Sequence, residues 1–369
     1  MPPITHERIV IKIGSSLLVG KDGGLRQTWL ASLIDDIATR RKSGQHIIIV
    51  SSGAIALGAR RLSLPKGGRA SLEDAQAAAA VGQIALASGW GDALGAHDMM
   101  AAQILLTLGD LEDRRRYLNA AATLDRLLAL GVIPIVNEND SVATEEIRFG
   151  DNDRLAARVA QAAGAQGLIL LSDVDGFYTA DPSLDTNATR IDVVDAMTAD
   201  LRAMGSANST SGIGSGGMAT KLAAAEICAQ AGADMVIVSG KQNHPLARLE
   251  TEPCGTLFRG GSKQGPRRAW MAGRLTVAGK IRIDEGAVTA LAAGASLLPA
   301  GMTHVEGRFE RGDIIAIIDV DGRTVAHGLA EYASNDAARI AGLSRDAVAK
   351  TLGYAPRSAM VHRDHMALL

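Results

Sequence analysis

Two lysines stand beside glycine residues in this sequence, one after an apolar run and one before a helical pattern. Lys12 lies two residues before Gly14, and Lys221 closes the glycine-rich segment that begins at Gly212. Because glycine has no Cβ, the backbone there can approach a phosphate closely, and a lysine supplies a compact positive charge. Lys221 also falls in the first turn of a helix predicted over 222–231, where a positive charge is unfavourable unless an anion compensates it. Both segments predict phosphate binding, although an edge-strand lysine before an ordinary turn explains Lys12 equally well.

The glycine-rich segment is not a Walker A motif, since no Gly directly precedes Lys221 and no Ser or Thr follows it. It predicts a different phosphate cradle. The small residues over 51–54 also leave backbone N–H groups free to bind an anion at a helix start, an interaction of roughly 0.3 to 1 kcal/mol when exposed. A serine N-cap at Ser52 is the alternative explanation.

Amide and carboxylate side chains follow the third predicted strand, in the run Asn137-Glu-Asn-Asp140. Four such residues are more than a helix cap requires. We interpret them as a polar receptor for an ammonium group, with a surface turn as the alternative.

A further acidic segment, Gly150-Asp-Asn-Asp153, precedes a helix predicted over 154–163. Asp153 is a good N-cap, so helix capping alone could account for it. Asp151 and Asn152 are then surplus, and we interpret this segment as orienting lysines or a metal ion.

The fourth predicted strand is followed by Ser172 and Asp173 and then by the aromatic pair Phe177 and Tyr178. A plain turn explains the polar residues, while the aromatic pair could border an adenine.

Short apolar runs alternate with Ala- and Leu-rich helical patterns from residue 8 to about residue 240, which predicts a parallel sheet covered by helices. Ligands of such sheets bind beyond the carboxyl ends of the strands, where all the polar segments described above are found. The predicted strands are Arg8–Ile13, Ile47–Val50, Val132–Val136, Leu168–Leu171 and Met235–Val238.

The chain of 369 residues is long enough for two domains, and 47% hydrophobic residues can fill two cores. Pro, Gly and basic residues without apolar periodicity predict a linker over 259–274, between domains over 1–258 and 275–369. The second domain is predicted as a compact mixed fold with a helix over 285–293. Its predicted strands are Leu275–Ile283, Ile314–Val320 and Thr324–Leu329.

Composition argues against several classes of protein. The formal net charge of -2 gives no polyanion-binding signal over the whole chain. Cys228 and Cys254 form no metal-ligand spacing and suit the cytoplasm, and no stretch reaches the roughly 20 apolar residues that cross a bilayer. The only close histidine pair, His362 and His365, is predicted to be solvated in a C-terminal tail.

In combination these segments resemble the bacterial glutamate 5-kinases, which are amino-acid kinases with a C-terminal PUA domain. The resemblance covers nearly the whole chain. The segments that carry it, in order, are Lys12-Ile-Gly-Ser-Ser16, Ser51-Ser-Gly-Ala54, Val136-Asn-Glu-Asn-Asp140, Gly150-Asp-Asn-Asp153, Ser172-Asp173 and Gly214-Ser-Gly-Gly-Met-Ala-Thr-Lys221.

The resemblance implies an α/β/α sandwich with an eight-stranded, mostly parallel sheet, plus a small β-rich PUA domain. It also implies ATP-dependent phosphorylation of the side-chain carboxylate of L-glutamate, the first step of proline biosynthesis, by a homo-oligomer, dimer or tetramer, that proline inhibits. RNA binding by the PUA domain is not predicted.

The resemblance further implies roles for individual residues. Lys12 and Lys221 would stabilise the transferring phosphoryl group, and Asp151 and Asp153 would organise the lysines and Mg²⁺, which the ATP phosphates mainly hold. The glutamate-binding residues would be Ser52, Asp140 and Asn152. The ATP-binding residues would be Lys12, Ser172, Asp173, Ser215, Gly216, Gly217, Met218, Ala219, Thr220 and Lys221. Three residues depart from the family pattern, which often has Thr at the positions of Ser172 and Ser215 and Leu at that of Phe177.

Transfer to a carboxylate suits this set of residues. A carboxylate with a pKa of about 4.3 is already ionised near neutrality and needs no general base. The obstacle is repulsion between anions, about 4 kcal/mol for two unit charges 4 Å apart at an effective dielectric of 20. Lys12, Lys221 and Mg²⁺ would supply the cations that overcome it.

Two other kinds of function stay open at this point. Another amino-acid kinase, such as an aspartokinase or an N-acetylglutamate kinase, would carry ACT domains or no extra domain, and the C-terminal segment fits neither. An RNA-binding or RNA-modifying protein is suggested by the PUA-like segment, but the slightly negative charge and the 3% aromatic content argue against it.

Overall fold

The computed structural model describes residues 6–20, 22–142, 152–207, 217–252, 254–261, 277–354, 356–357 and 359–368. The chain divides into two compact units, Met1–Gly261 and Ser262–Leu369. The predicted linker over 259–274 stays a prediction, because most of it lies outside the described residues.

The first unit is built on a single large sheet. Its strands are β1 (Arg8–Ile13), β2 (His46–Ser51), β3 (Ala101–Leu106), β4 (Ile133–Glu138), β5 (Gly167–Ser172), β6 (Phe177–Tyr178), β7 (Arg190–Ile191), β8 (Val193–Val194), β9 (Asp234–Ser239) and β10 (Thr256–Phe258). Its helices are α1 (Ser15–Leu18), α2 (Gln27–Lys42), α3 (Ala54–Arg61), α4 (Leu72–Gly95), α5 (Leu108–Glu112), α6 (Arg114–Ala129), α7 (Asn152–Ala162), α8 (Ala199–Ala207), α9 (Met218–Ala231) and α10 (Pro245–Thr251).

Eight strands form this sheet in the order β3-β4-β2-β1-β5-β9-β10-β8, and β6 pairs separately with β7. All neighbours are parallel except β9 and β10. The predicted mostly parallel sheet of eight strands is therefore confirmed. The five strands predicted in this unit are all present, with ends that differ by at most two residues, whereas β3, β8 and β10 of this sheet were not predicted.

Alternation along the strands creates two apolar cores, one on each face of the sheet. Val10 and Val136 pack with residues of α6, α7 and α9, on what we call the α7 face. Ile11 and Ile135 pack with residues of α2, α4 and α10, on the opposite or α4 face. The two cores make this unit a three-layer sandwich.

Helices α3 and α4 on the α4 face are in contact through their backbones. A Cβ built on Gly58 would lie 1.7 Å from the carbonyl oxygen of Ala78, and one on Gly82 would lie 1.8 Å from that of Ala54. Only glycine fits at these two positions. Since α3 begins directly after β2, this contact fixes α4 relative to the end of that strand.

The second unit is a five-stranded mixed sheet with its own core, in the order β12-β11-β13-β14-β15. Its strands are β11 (Gly279–Ile283), β12 (Met302–Gly307), β13 (Ile314–Ile318), β14 (Thr324–Leu329) and β15 (Met366–Leu368), and its helices are α11 (Glu285–Ala292), α12 (Ser334–Ile340) and α13 (Arg345–Leu352). Within the described part of the chain, no helix has the length and apolarity needed to span a bilayer.

The C-terminal residues of the second unit are not a free tail, because β15 pairs with β14. The expectation that His365 is solvated is wrong. Its ring is largely buried and lies 3.8 Å from the carboxylate of Glu331. Arg311 also binds this carboxylate.

Candidate active site

The polar segments singled out in the sequence meet at one edge of the first sheet. Strands β4, β2, β1, β5 and β9 are parallel neighbours, so their carboxyl ends lie side by side. Lys12, Ser51 and Ser172 lie at the ends of three of these strands. The edge is therefore the expected ligand-binding position of an open α/β sheet.

Lys12 and Lys221 are brought together by a single carboxylate. Nζ of Lys12 lies 2.6 Å from Oδ1 of Asp153, and Nζ of Lys221 lies 3.0 Å from Oδ2 of the same residue. The three side chains come from β1, α9 and α7, and their residues are only 8%, 5% and 1% exposed. Two ammonium groups that are remote in sequence thus share one buried partner at the sheet edge.

The ionisation of Asp153 follows from this arrangement. Burial alone would raise the pKa of its carboxyl, but the ammonium groups of Lys12 and Lys221 outweigh burial and lower the pKa from 3.8 to about 2. Asp153 therefore stays ionised throughout the physiological pH range.

The alternative explanation of Asp153, as the cap of a helix over 154–163, is wrong. The helix α7 begins at Asn152, so Asp153 lies inside its first turn. Its carboxylate binds the two lysines because two ammonium groups are stronger partners than a free backbone N–H. Helix α9 likewise begins at Met218, four residues earlier than predicted, and Lys221 is its fourth residue.

The start of α9 carries the described part of the glycine-rich segment. Gly217 precedes the helix, which has no side-chain cap at this end. The hydroxyl of Thr220 donates to the carbonyl of Gly217 at 2.8 Å and lies 3.4 Å from Oδ2 of Asp153. Met218 is half-buried and Ala219 is exposed. Asp151, Ser215 and Gly216 lie outside the described residues.

Ser52 and Asn152 also meet at this edge. The amide nitrogen of Asn152 donates to Oγ of Ser52 at 2.7 Å, and Oδ1 of Asn152 is buried without a hydrogen-bond partner in the described part of the chain. This contact joins the segment after β2 to the start of α7, beside the buried lysine pair.

Asp140 lies two residues beyond the end of β4 and has an environment opposite to that of Asp153. Burial raises the pKa of its carboxyl from 3.8 to about 6, against the lowering influence of the charge of Arg69. A carboxylate in this state gains most from a new cationic partner. That property fits the predicted receptor for an ammonium group.

Ser172 ends β5, which pairs with the strand of Lys12, and Asp173 follows it. Oγ of Ser172 donates to Oδ1 of Asp173 at 3.1 Å, and the Asp173 side chain is exposed. Phe177, one of the aromatic pair that could border an adenine, is fully buried and packs against Phe258 with ring centroids 6.2 Å apart.

Two side chains of α4 that no sequence pattern singled out also reach the strand ends. Oε1 of Gln83 accepts a hydrogen bond from the amide of Asn137 at 2.8 Å, and Nε1 of Trp90 donates to Oγ of Ser51 at 2.9 Å. Helix α4 and strand β4 are far apart in the sequence, and no local pattern distinguishes Gln83 and Trp90 from the core residues of α4. Sequence reasoning therefore could not find them.

Among the residues that the structure describes, no cluster of three His, Cys, Asp or Glu side chains could hold a metal ion. Asp153 is already engaged by both lysines. A divalent cation that takes most of its ligands from phosphate oxygens and water requires no such cluster.

Comparisons with known proteins show which families this chain is similar to. A model of the amino acid kinase family matches residues 7–239, and a model of the PUA domain matches residues 279–352. The glutamate 5-kinase of Sphingopyxis alaskensis is 60% identical over 368 residues, which cover 100% of this chain and 99% of that protein. The glutamate 5-kinase of Zymomonas mobilis is 56% identical over 367 residues, covering 100% and 92%. Among solved structures, isopentenyl phosphate kinase superposes with a TM-score of 0.46 at 19% identity, over 68% of this chain and 99% of that one.

The ion pairs of Asp153 predict a specific dependence of stability on pH. Asp153→Asn should lower the free energy of unfolding of the first unit at pH 7 by about 3 to 5 kcal/mol, because two buried ammonium groups lose their carboxylate. A folded-state pKa of about 2 against an ordinary value of 3.8 stabilises the protein above pH 4. The difference between wild type and variant should therefore shrink as the pH falls from 4 towards 2.

Urea unfolding at a series of pH values, followed by the fluorescence of the buried Trp29 and Trp90, measures this difference. Asp200→Asn is a matched control, because Asp200 is exposed at the start of α8 and its loss should cost less than about 1 kcal/mol. A difference that stays constant down to pH 2 would contradict the assigned ion pairs.

Proposed function

This chain belongs to the amino acid kinase family and, within it, to the glutamate 5-kinases, and we propose that Lys12, Lys221 and Asp153 form its centre for phosphoryl transfer. The reaction moves the γ-phosphoryl group of ATP to the side-chain carboxylate of L-glutamate. Its product is L-glutamyl 5-phosphate, and it is the first step of proline biosynthesis.

One observation carries this proposal: two buried ammonium groups lie within 3.0 Å of the same carboxylate at the ligand-binding edge of the sheet. Phosphoryl transfer depends mainly on positioning and on stabilising charge. The ammonium groups of Lys12 and Lys221 would neutralise the γ-phosphoryl group and the incoming carboxylate together. Asp153 would hold both lysines in place without taking part in bond making.

The acceptor needs no general base, since the side chain of glutamate is ionised near neutrality. Its attack on the γ-phosphorus breaks the bond to the bridging oxygen of ATP, and ADP leaves with that electron pair. No proton has to be removed. This explains why a site made of cations and amides, without a histidine base among its described residues, suits the reaction.

Glutamate binding is assigned to Ser52, Asp140 and Asn152. Asp140 would pair with the α-ammonium, which would favour its ionised form. The contact between Ser52 and Asn152 would bring both groups to one end of the amino acid. Asp151, which lies outside the described residues, is proposed to help Asp153 organise the lysines.

ATP binding is assigned to the half of the sheet edge that lies away from the proposed glutamate-binding residues. Ser172 and Asp173 would contact the nucleotide after β5. The phosphates would lie against Lys12 and the uncapped start of α9, where free backbone N–H groups and the helix dipole favour an anion. The described residues of that start are Gly217, Met218, Ala219, Thr220 and Lys221, and Ser215 and Gly216 belong to the same proposed cradle.

Mg²⁺ is proposed to enter with ATP and to be held mainly by its phosphate oxygens. When bound it would neutralise charge on the transferring group. The chain's own part is to place Lys12 and Lys221 beside these phosphates.

Two further proposals rest on the resemblance to the family, and a third rests on the cysteines. The chain would form homo-oligomers, either dimers or tetramers, and proline would inhibit it by feedback. Its two cysteines are free thiols, which supports a cytoplasmic location. RNA binding by the PUA domain is not part of the proposed function.

The substrate assignment predicts the outcome of a direct assay. Purified protein with ATP and Mg²⁺ should form an acyl phosphate with L-glutamate, and hydroxylamine should trap it as the hydroxamate. Aspartate and N-acetylglutamate should give much lower kcat/KM values, because the receptor is matched to a free ammonium and a longer side chain. A preference for aspartate or for N-acetylglutamate would overturn the assignment.

The role of Lys221 predicts a loss of turnover. Lys221→Met removes one fixed charge from the transition state and should lower kcat by roughly 10² to 10³. Lys350→Met is the matched control, since Lys350 is exposed on α13 and its loss should leave kcat unchanged. Thermal unfolding of both variants separates turnover from stability, and a wild-type kcat in Lys221→Met would remove this lysine from the mechanism.

The raised pKa of Asp140 predicts how glutamate use depends on pH. A carboxyl with a pKa of about 6 becomes protonated as the pH falls through 6, and a neutral carboxyl cannot pair with an ammonium group. The kcat/KM for glutamate should therefore fall roughly ten-fold between pH 7 and pH 5. Asp140→Asn should have a low kcat/KM at every pH and should lack this ten-fold fall. Because ATP titrates in the same way in assays of both proteins, the comparison of wild type with the variant removes the effect of ATP. Equal slopes in the two proteins would contradict the assignment.

A further inference from the structure

Two asparagines at the sheet edge share one arrangement. Asn137 donates its amide nitrogen to Oε1 of Gln83 at 2.8 Å, and Asn152 donates its amide nitrogen to Oγ of Ser52 at 2.7 Å. In both residues Oδ1 is buried and has no hydrogen-bond partner among the residues that the structure describes. Each side chain is therefore anchored by its NH₂ end and keeps its oxygen available as an acceptor.

The neighbour of an asparagine decides which end of its amide is used. The two ends are almost the same size, but one only donates hydrogen bonds and the other only accepts them. At Asn137 that neighbour is Gln83, whose oxygen takes the NH₂ group. Because Gln83 occupies the NH₂ group of Asn137, the atom that Asn137 presents to a ligand is Oδ1, which accepts hydrogen bonds.

Gln83 itself is held by the packing of α4. Gln83 and Trp90 are seven residues apart, about two helical turns, and so lie on the same face of the helix. Through them α4 contacts the ends of β4 and β2 at once. The backbone contact between Gly58 and Gly82 prevents α4 from moving closer to α3. The position of the Asn137 amide is therefore set by a rigid support.

A buried acceptor without a partner is unfavourable until a donor reaches it. L-glutamate with both carboxylates ionised has a single group that donates hydrogen bonds, its α-ammonium. We propose that Gln83 is a positioning residue for substrate specificity, which orients Asn137 so that its oxygen, with that of Asn152, accepts hydrogen bonds from the α-ammonium of L-glutamate. This inference rests on the proposed function.

The opposite orientation of the pair has different consequences. If Gln83 donated to Oδ1 of Asn137, the asparagine would present its NH₂ group to the substrate and would repel an ammonium. A glutamate side chain at position 83 can accept but cannot donate while it is ionised. Gln83→Glu therefore enforces the proposed orientation, whereas Gln83→Met removes the anchor.

The experiment compares L-glutamate with glutarate, a dicarboxylate of the same length without the α-ammonium. KM for glutamate, Ki for glutarate as a competitive inhibitor, KM for ATP and kcat are measured at pH 8. In Gln83→Met, KM for glutamate should rise roughly ten- to a hundred-fold, the range for a lost hydrogen bond to a charged group. Ki for glutarate, KM for ATP and kcat should change less than about two-fold.

Gln83→Glu should keep the wild-type ratio of Ki for glutarate to KM for glutamate. Gln103→Met is the matched control, because Gln103 is exposed on β3 and a wild-type ratio is expected there. Thermal unfolding of each variant reports on folding. A purely structural role of Gln83 would weaken glutamate and glutarate equally.

The possible failures are distinguishable. If wild-type protein forms no glutamyl phosphate, the proposed function fails and takes this inference with it. If wild type is active and Gln83→Met keeps the wild-type ratio of Ki for glutarate to KM for glutamate, only the role of Gln83 is overturned. If Gln83→Glu loses discrimination as strongly as Gln83→Met, the orientation proposed for Asn137 is wrong.

Discussion

The site depends on one electrostatic constraint, the sharing of the Asp153 carboxylate by two buried ammonium groups. Two lysines cannot be buried side by side without an anion, because burial of an unpaired charge is costly and like charges repel. Asp153, whose pKa of about 2 keeps it ionised, removes both obstacles. The constraint also joins β1, α7 and α9, which are far apart in the sequence. Their relative positions are thus fixed by the same groups that are proposed to act on phosphate.

The alternation of side chains along the strands places polar groups on both faces of the sheet edge. Lys12 lies two residues after Val10, so it faces the α7 side of the sheet, as Ser172 does after Leu170. Ser51 follows Ile49 and Asn137 follows Ile135, so both face the α4 side. The side of the edge that carries the buried lysines is therefore different from the side that α4 supports.

The sequence predicted the parts of the fold that depend on local patterns. Buried parallel strands are continuous apolar runs, so β1 and its parallel neighbours could be found, whereas β3 is a half-buried edge strand with a weak pattern. The lysines and their polar neighbours were predicted from glycine and acidic segments. Distances were not: Asp153 looked like a helix cap, Phe177 looked like a ligand contact, and Gln83 gave no signal. Each depends on how helices and strands far apart in the sequence pack against each other.

Two carboxylates at this edge have pKa values shifted in opposite directions, and this difference indicates separate roles. Asp153 has its cations within the fold, so its charge is already balanced and any ligand meets a fixed structure. Asp140 is half-buried, and burial outweighs the charge of Arg69 and raises the pKa of its carboxyl, so its ionised form is less favourable in the folded protein than in the unfolded chain. Its raised pKa destabilises the folded state above pH 6, since the unfolded chain ionises it freely. A ligand ammonium would relieve this cost, so part of the selectivity for an α-amino acid would come from a carboxylate that the fold itself leaves poorly balanced.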